Sequence, residues 1–262
     1  MSLTGKTLSG SYKDILQVDN SNNGVTTSLK QIKDGEGTAS ALNISDDNVR
    51  IVPNNDDSTT TLQVRTNSGT QVLAVDTTNE LVTASGNYVN TQYATFSICS
   101  SESTYFVDDT HHALTFANSN FGTSAYAPAF GTSTDPATTF TTSDGNGTRG
   151  SDLVPVLWFV PDAISIDSVT SLEGADAATG DTTRMHLYSM TFTSGSTSAL
   201  SAGTLLAHNS DVTNAGSEQV YKSTWTVDSA AVASGKVILA FFKSDSINSD
   251  YLIQVTVKYH LT

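Results

Sequence analysis

Cysteine occurs once in the 262 residues, at Cys99, so no disulfide can close within the chain. In the run Ala94-Thr95-Phe96-Ser97-Ile98-Cys99 the thiol reads as a small buried hydrophobe rather than a nucleophile. Long apolar runs are missing: no window approaches the ~20 residues a membrane helix needs, and Met1–Thr7 lacks the apolar stretch of a secretion signal. The sequence is therefore expected to be neither exported by that route nor inserted in a membrane. Basic charge is scarce, 12 Lys and Arg against 26 Asp and Glu, and no window offers the basic stripe that phosphate backbones require. Nucleic acid is excluded as a partner on that ground. The net charge of −14 is scattered and describes a soluble, self-repelling surface. Aromatics are nearly absent from residues 1–90, which hold only Tyr12 and Tyr88, whereas all ten Phe and both Trp lie at Phe96 or later. Aromatic rings supply the largest buried areas in a small core, so the first region has little with which to build an independent globule.

What is abundant is Ser, Thr, Asn, Asp and Gly, with few Lys and Glu, a composition that favours strands and turns over helices. Thr61–Val82 is the clearest stretch. It reads as two strands joined by a turn at Asn67-Ser68-Gly69, where Gly can take the positive φ of a tight hairpin. Ile15–Val25 aligns without a gap on Val72–Val82, which suggests two copies of a strand-plus-turn unit. Around them, extended pieces are expected over Tyr12–Val18, Val25–Ile32, Ala41–Ile44 and Val49–Val52, with Asp34-Gly35-Glu36-Gly37 and Pro53–Asp57 as turns. In Gln71–Asp76, Leu73 and Val75 share one face while Val72 and Ala74 occupy the other, so both faces need covering. Leu62, Val64, Leu73 and Val75 are accordingly candidates for an interface between chains, with a symmetric trimer the simplest closed arrangement. Residues 1–88 form this N-terminal β-arm, and Ala84-Ser85-Gly86-Asn87 reads as the linker that ends it.

Residues 89–262 are richer in apolar strands. Tyr93–Cys99, Thr104–Val107, Leu153–Val160, Ala163–Val169, Arg184–Phe192, Gln219–Val227, Lys236–Lys243 and Tyr251–Tyr259 qualify, with a helical turn over Ser229–Ala233. In Tyr251–Tyr259 every odd position is apolar or aromatic, the alternation of a half-buried antiparallel strand. The expected fold class is all-β: an extended hairpin arm followed by an antiparallel β-sandwich knob of jelly-roll type. Residues 117–152 form a long polar stretch in which Tyr126, Phe130 and Phe140 are candidates for stacking on glycans, the alternative being that they pin the loop to the sheets.

Signals for chemistry are sparse. Gly5-Lys6-Thr7 lacks the rest of a phosphate-binding loop. Asp108-Asp109 beside His111-His112 is a carboxylate–imidazole cluster, but neighbours on an extended chain point to opposite faces, and a solvated turn is the preferred reading. His186, His208 and His260 are isolated from one another, and no motif groups them with an Asp or Cys. Asp144-Gly145-Asn146-Gly147-Thr148 has the oxygen ligands of a calcium loop without its later Glu, and is better explained as a turn. The sequons at Asn43 and Asn146 read as chance matches. No catalytic residue, cofactor site or metal ligand is assigned, and the chain does not read as an enzyme.

Lys13-Asp14-Ile15-Leu16-Gln17-Val18-Asp19-Asn20-Ser21-Asn22-Asn23-Gly24, Lys33–Ser45, the hairpin ending Leu73-Ala74-Val75-Asp76-Thr77, and Asn90-Thr91-Gln92-Tyr93 together resemble a segment of virion proteins of tailed bacteriophages, marine ones above all, of the fibre or decoration type. The resemblance covers the first third of the chain. It implies a homotrimeric protein at the particle surface, its N-terminal arm docked on other virion proteins of the capsid or tail, its knob directed outward and open to host surface glycans.

Overall fold

No α-helix occurs among the described residues of the computed structural model, which are 15–99, 107–117, 129–130, 150–175, 179–195, 200–245 and 251–262. All sheets are antiparallel, and the chain divides into two units, Met1–Val89 and Asn90–Thr262. Tyr12, residues 104–106 of the strand expected at Thr104–Val107, the Asp144–Thr148 turn and the aromatics Tyr126 and Phe140 lie outside the described residues, and Val107 is not in a strand.

The N-terminal unit holds two four-stranded meanders. The first runs β1 (Gln17–Val18), β2 (Lys30–Lys33), β3 (Ala39–Ile44), β4 (Val49–Ile51). The second runs β5 (Leu62–Arg65), β6 (Gln71–Asp76), β7 (Leu81–Ala84), β8 (Asn87–Tyr88). The hairpin turn at Asn67–Gly69 is present: Gly69 N–H donates to Thr66 O at 2.9 Å, Thr66 N–H to Thr70 O at 2.8 Å, and Gly69 has φ of 89°. A three-residue loop closed by Gly in the left-handed region suits the twist of the strands it joins.

The same construction recurs 32 residues earlier. Asp34 N–H donates to Thr38 O, Gly37 N–H donates to Asp34 O, and Gly37 also has φ of 89°. Asp34 Oδ1 accepts from the Thr38 amide at 2.8 Å where Thr66 Oγ1 accepts from the Thr70 amide at 3.0 Å. Pairings correspond too: Asn43↔Arg50 with Val75↔Val82, and Ile44↔Val49 with Asp76↔Leu81. The structural repeat is therefore the turn and β3–β4 against the turn and β6–β7, with β2 and β5 matching beside the turn and one residue out of step beyond it, and not the Ile15–Val25 and Val72–Val82 alignment, since β1 turns into an unpaired segment where β6 turns into β7. Two further corrections apply. The second strand begins at Lys30 rather than Val25, and Ala84–Asn87 is no linker but a tight β7–β8 turn, with Ser85 and Gly86 both at positive φ.

In the C-terminal unit one sheet has the order β11-β9-β21-β13-β17, with β19 on β13. These are β9 (Thr91–Cys99), β11 (Thr115–Phe116), β13 (Ile164–Ala175), β17 (Gln219–Thr224), β19 (Ala231–Val232) and β21 (Tyr251–Leu261). The other has the order β10-β20-β14-β15-β18, with β12 on β20 and β16 on β14. Its strands are β10 (His112–Ala113), β12 (Trp158–Phe159), β14 (Thr182–Thr191), β15 (Ser201–His208), β16 (Val212–Thr213), β18 (Thr226–Val227) and β20 (Lys236–Ser244). Side chains of both sheets join one apolar cluster, which includes Phe96 and Ile98 of β9, Val255 and Val257 of β21, Leu187 of β14 and Phe242 of β20. The alternation of β21 is as its sequence indicates, with Tyr251, Ile253, Val255 and Val257 buried and Leu252 exposed.

Strand β20 is different, because Val237 through Phe242 are all buried. Its second face, with Tyr188 and Met190 of β14, packs on Leu153, Val156, Phe130 and Leu200 in a separate cluster. Leu153–Val160 is consequently not one strand. Gly150–Val156 forms a 3-10 turn, and only Trp158–Phe159 pairs, because Pro155 has no N–H to give a ladder. Ser229–Ala233 is not helical either: Ala231 and Val232 pair with Ser165 and Ile164. The 201–208 strand went unread in sequence because Ala202-Gly203 weakens its pattern.

The left-handed glycine supplies a local test. Gly69→Ala should raise hydrogen exchange at the Thr66 and Thr70 amides by about tenfold, the cost of roughly 1–2 kcal/mol for a Cβ at that φ, while Asn67→Ala, at an exposed position of the same turn, leaves it unchanged.

Candidate functional site

The interface candidates fall on one face of the second meander. Cross-strand pairing aligns Leu62 with Val75 and Val75 with Val82, and the neighbouring row aligns Val64 with Leu73 and Leu73 with Ala84. Six apolar side chains thus form a two-by-three grid, and the sheet's other face takes Gln63, the buried Ala74 and Thr83. Leu62, Val64 and Val82 remain 37%, 49% and 36% exposed. Covering side chains of this size contributes about 1.5–3 kcal/mol each when complete. Val82 was not singled out in sequence, although its place opposite Val75 follows once β7 is paired.

Of the glycan candidates, Phe130 is corrected. It is 4% exposed and meets Phe241 edge-on, ring centroids 4.8 Å apart, so it pins its segment to β20 and offers no face to a sugar. The Asp108–His112 segment is also not a solvated turn throughout. Asp109 sits in the turn at positive φ, but His111 and His112 are buried. His112 Nε2 accepts from the Val107 amide at 3.0 Å, and the His111 ring lies 5.2 Å from that of His186. His208 and His260 do have carboxylates: His208 Nδ1 is 2.8 Å from Asp228 Oδ2, and His260 Nδ1 is 2.8 Å from Asp167 Oδ1. Separations of 20 and 93 residues hid both pairs. Among the described residues, no group of three or more His, Cys, Asp or Glu is placed to hold a metal, and no helix is long and apolar enough to cross a membrane.

A polar region lies where β14 starts and β20 ends. On the outer side, Asp109, Thr182, Arg184, Asp211, Lys243 and Asp245 line an open cleft of about 170 Å³. Arg184 forks onto Asp211, Lys243 Nζ is 3.6 Å from Asp109, and Asp245 Oδ1 accepts from the Thr182 amide at 2.7 Å. On the inner side, Glu173 of β13 is 1% exposed and accepts from Thr183 Oγ1 at 2.6 Å through Oε1. Burial pushes its carboxyl up to about 7 against this hydrogen bond. Burial also pushes the Tyr251 phenol up to about 12, and the charges of Asp181 and Glu173 add to the rise.

Glu173 sets a pH dependence. The folded state holds its proton up to about 7 and the unfolded chain loses it near 4.5, so stability falls as pH rises between those values and is flat above. In chelator-treated buffer, Glu173→Gln should remove that slope and gain of order 2–3 kcal/mol at pH 8, read from urea denaturation at pH 4.5, 6 and 8.

The sequence matches no protein-family model and no curated protein.

Proposed function

We propose that the chain is a structural protein of a tailed-phage virion, a homotrimeric decoration or fibre protein whose N-terminal arm docks on other capsid or tail proteins and whose C-terminal jelly-roll sandwich projects as a knob. The observation that carries this reading is the open apolar grid of Leu62, Val64, Leu73, Val75, Val82 and Ala84 on a unit with little aromatic content. An uncovered apolar face of this kind marks an interaction site. The resemblance of residues 13–93 to phage virion proteins supplies the context. The mechanism is mechanical: copies cover one another's grids, and the acidic, hydroxyl-rich remainder keeps a crowded particle surface soluble.

A second reading, recognition of host glycans, is favoured by the outer cleft, where Asp109, Asp211 and Asp245 can accept from sugar hydroxyls and Arg184 and Lys243 can donate. In that case Asp109→Ala should abolish binding to a host polysaccharide panel; unchanged binding would remove the cleft from consideration.

Light scattering of the purified chain tests the first reading. The expected result is a trimer at roughly micromolar concentration that the Val64→Asp/Val82→Asp variant converts to folded monomer, since both positions are exposed and a charge there costs the free chain little. A monomeric wild type would sink it.

A further inference from the structure

At one end of the C-terminal core the inward-facing side chains change from apolar to polar. β13 brings Glu173, β14 brings Thr183 with Asp181 just before it, β20 ends in Ser244, β21 begins at Tyr251, and Asn214 follows β16. The Tyr251 hydroxyl lies 3.2 Å from Ser244 Oγ and 3.4 Å from Asp181 Oδ2, and accepts from Asn214 Nδ2 at 3.5 Å. Backbone bonds fix the rim: Asn214 N–H donates to Asp181 O, and Gly180 N–H donates to Asn214 O.

Two oxygens in this cluster have no hydrogen-bond partner, Glu173 Oε2 and Asn214 Oδ1, on residues 1% and 3% exposed. As a carboxylate and an amide carbonyl both are acceptors, and buried acceptors are costly unless something positive meets them. The cations at this end of β14 and β20 are one residue out of phase. Arg184 and Lys243 alternate with Thr183 and Ser244, line the outer cleft, and pair there with Asp211 and Asp109.

We propose that this end of the core is a binding site for a hard divalent cation, calcium in kind, with Glu173 Oε2 and Asn214 Oδ1 as its inner ligands and the Asp181 carboxylate and Tyr251 hydroxyl beside them. The donor set is oxygen throughout and mixes carboxylate with amide carbonyl, which suits calcium and not the softer transition metals. Two carboxylates match its charge. Magnesium fits less well, because it gives up its waters reluctantly and demands regular octahedral geometry. A bound ion would tie β13 of one sheet to β14 and β16 of the other where the apolar core ends.

The test uses the full chain, stripped with EDTA, at pH 8. Calcium about 100-fold above its Kd should raise Tm by about 5–10 °C, with little response to magnesium. Terbium should luminesce on excitation through tyrosine, and Tyr251→Phe should cut that emission severalfold. Glu173→Gln, which keeps the shape and the acceptor for Thr183, should abolish both responses, and Asn214→Ser replaces it if the Gln variant fails to fold. No calcium-induced shift in the wild type overturns the proposal, with a proton or water left to meet these oxygens. An equal shift in the variants overturns it as well, since the ion would then sit on surface carboxylates.

Discussion

The pairing of β13 with β21 is the interaction on which the C-terminal unit depends. It is the longest ladder in the described structure, and β21 also carries β9 on its other edge, so three strands are aligned through one. The register is not uniform. Ile164 to Ile166 pair in one frame and Ser168 onward in another, with Asp167 as the extra residue. A bulge shifts every later side chain to the opposite face. Before it, Ile164 and Ile166 point to the core; after it, Val169, Ser171, Glu173 and Ala175 do, while Leu172 is left 45% exposed. One inserted residue thus places a carboxylate in the core and an aliphatic side chain on the surface, and the inserted Asp167 itself meets His260.

Strand β20 imposes the second constraint. An antiparallel strand with one wet face alternates, but Val237–Phe242 does not, and burying both faces demands a layer on each side. The facing sheet covers one side. The other is covered by short irregular pieces, the 3-10 turn at Gly150–Val156 and the segment at Phe130. Phe130, an aromatic in a polar stretch, is therefore drawn inward onto the apolar face of β20 that the facing sheet leaves open. This is why Phe130 is packing and not a sugar platform.

How legible this was depended on whether the signal was local. The Asn67–Gly69 turn and the alternation of Tyr251–Tyr259 could be read directly, because turn chemistry and period are carried by a few neighbouring residues. The 32-residue repeat was masked by divergent side chains over a shared backbone: Asp34 and Thr66 do one job with different oxygens. Glu173 was hidden by the bulge, since counting by twos from Ile164 puts Leu172 inward. The His208–Asp228 and His260–Asp167 pairs exist only across strands. Pro155 was the visible warning against a strand over Leu153–Val160.

The two meanders of the N-terminal unit share a backbone plan and invert their polarity. Positions 43 and 50 pair as Asn and Arg in the first, and their equivalents 75 and 82 pair as Val and Val in the second. Leu42 pairs with Ile51 in the first where Ala74 pairs with Thr83 in the second. The repeat alone therefore does not make the two sheets interchangeable. A neighbour that covers Leu62, Val64 and Val82 would meet Asn43 and Arg50 if it slipped onto the first meander, burying polar groups without partners. In the assembly proposed above, that penalty would specify register between copies, because affinity from apolar area alone is indifferent to which sheet it covers.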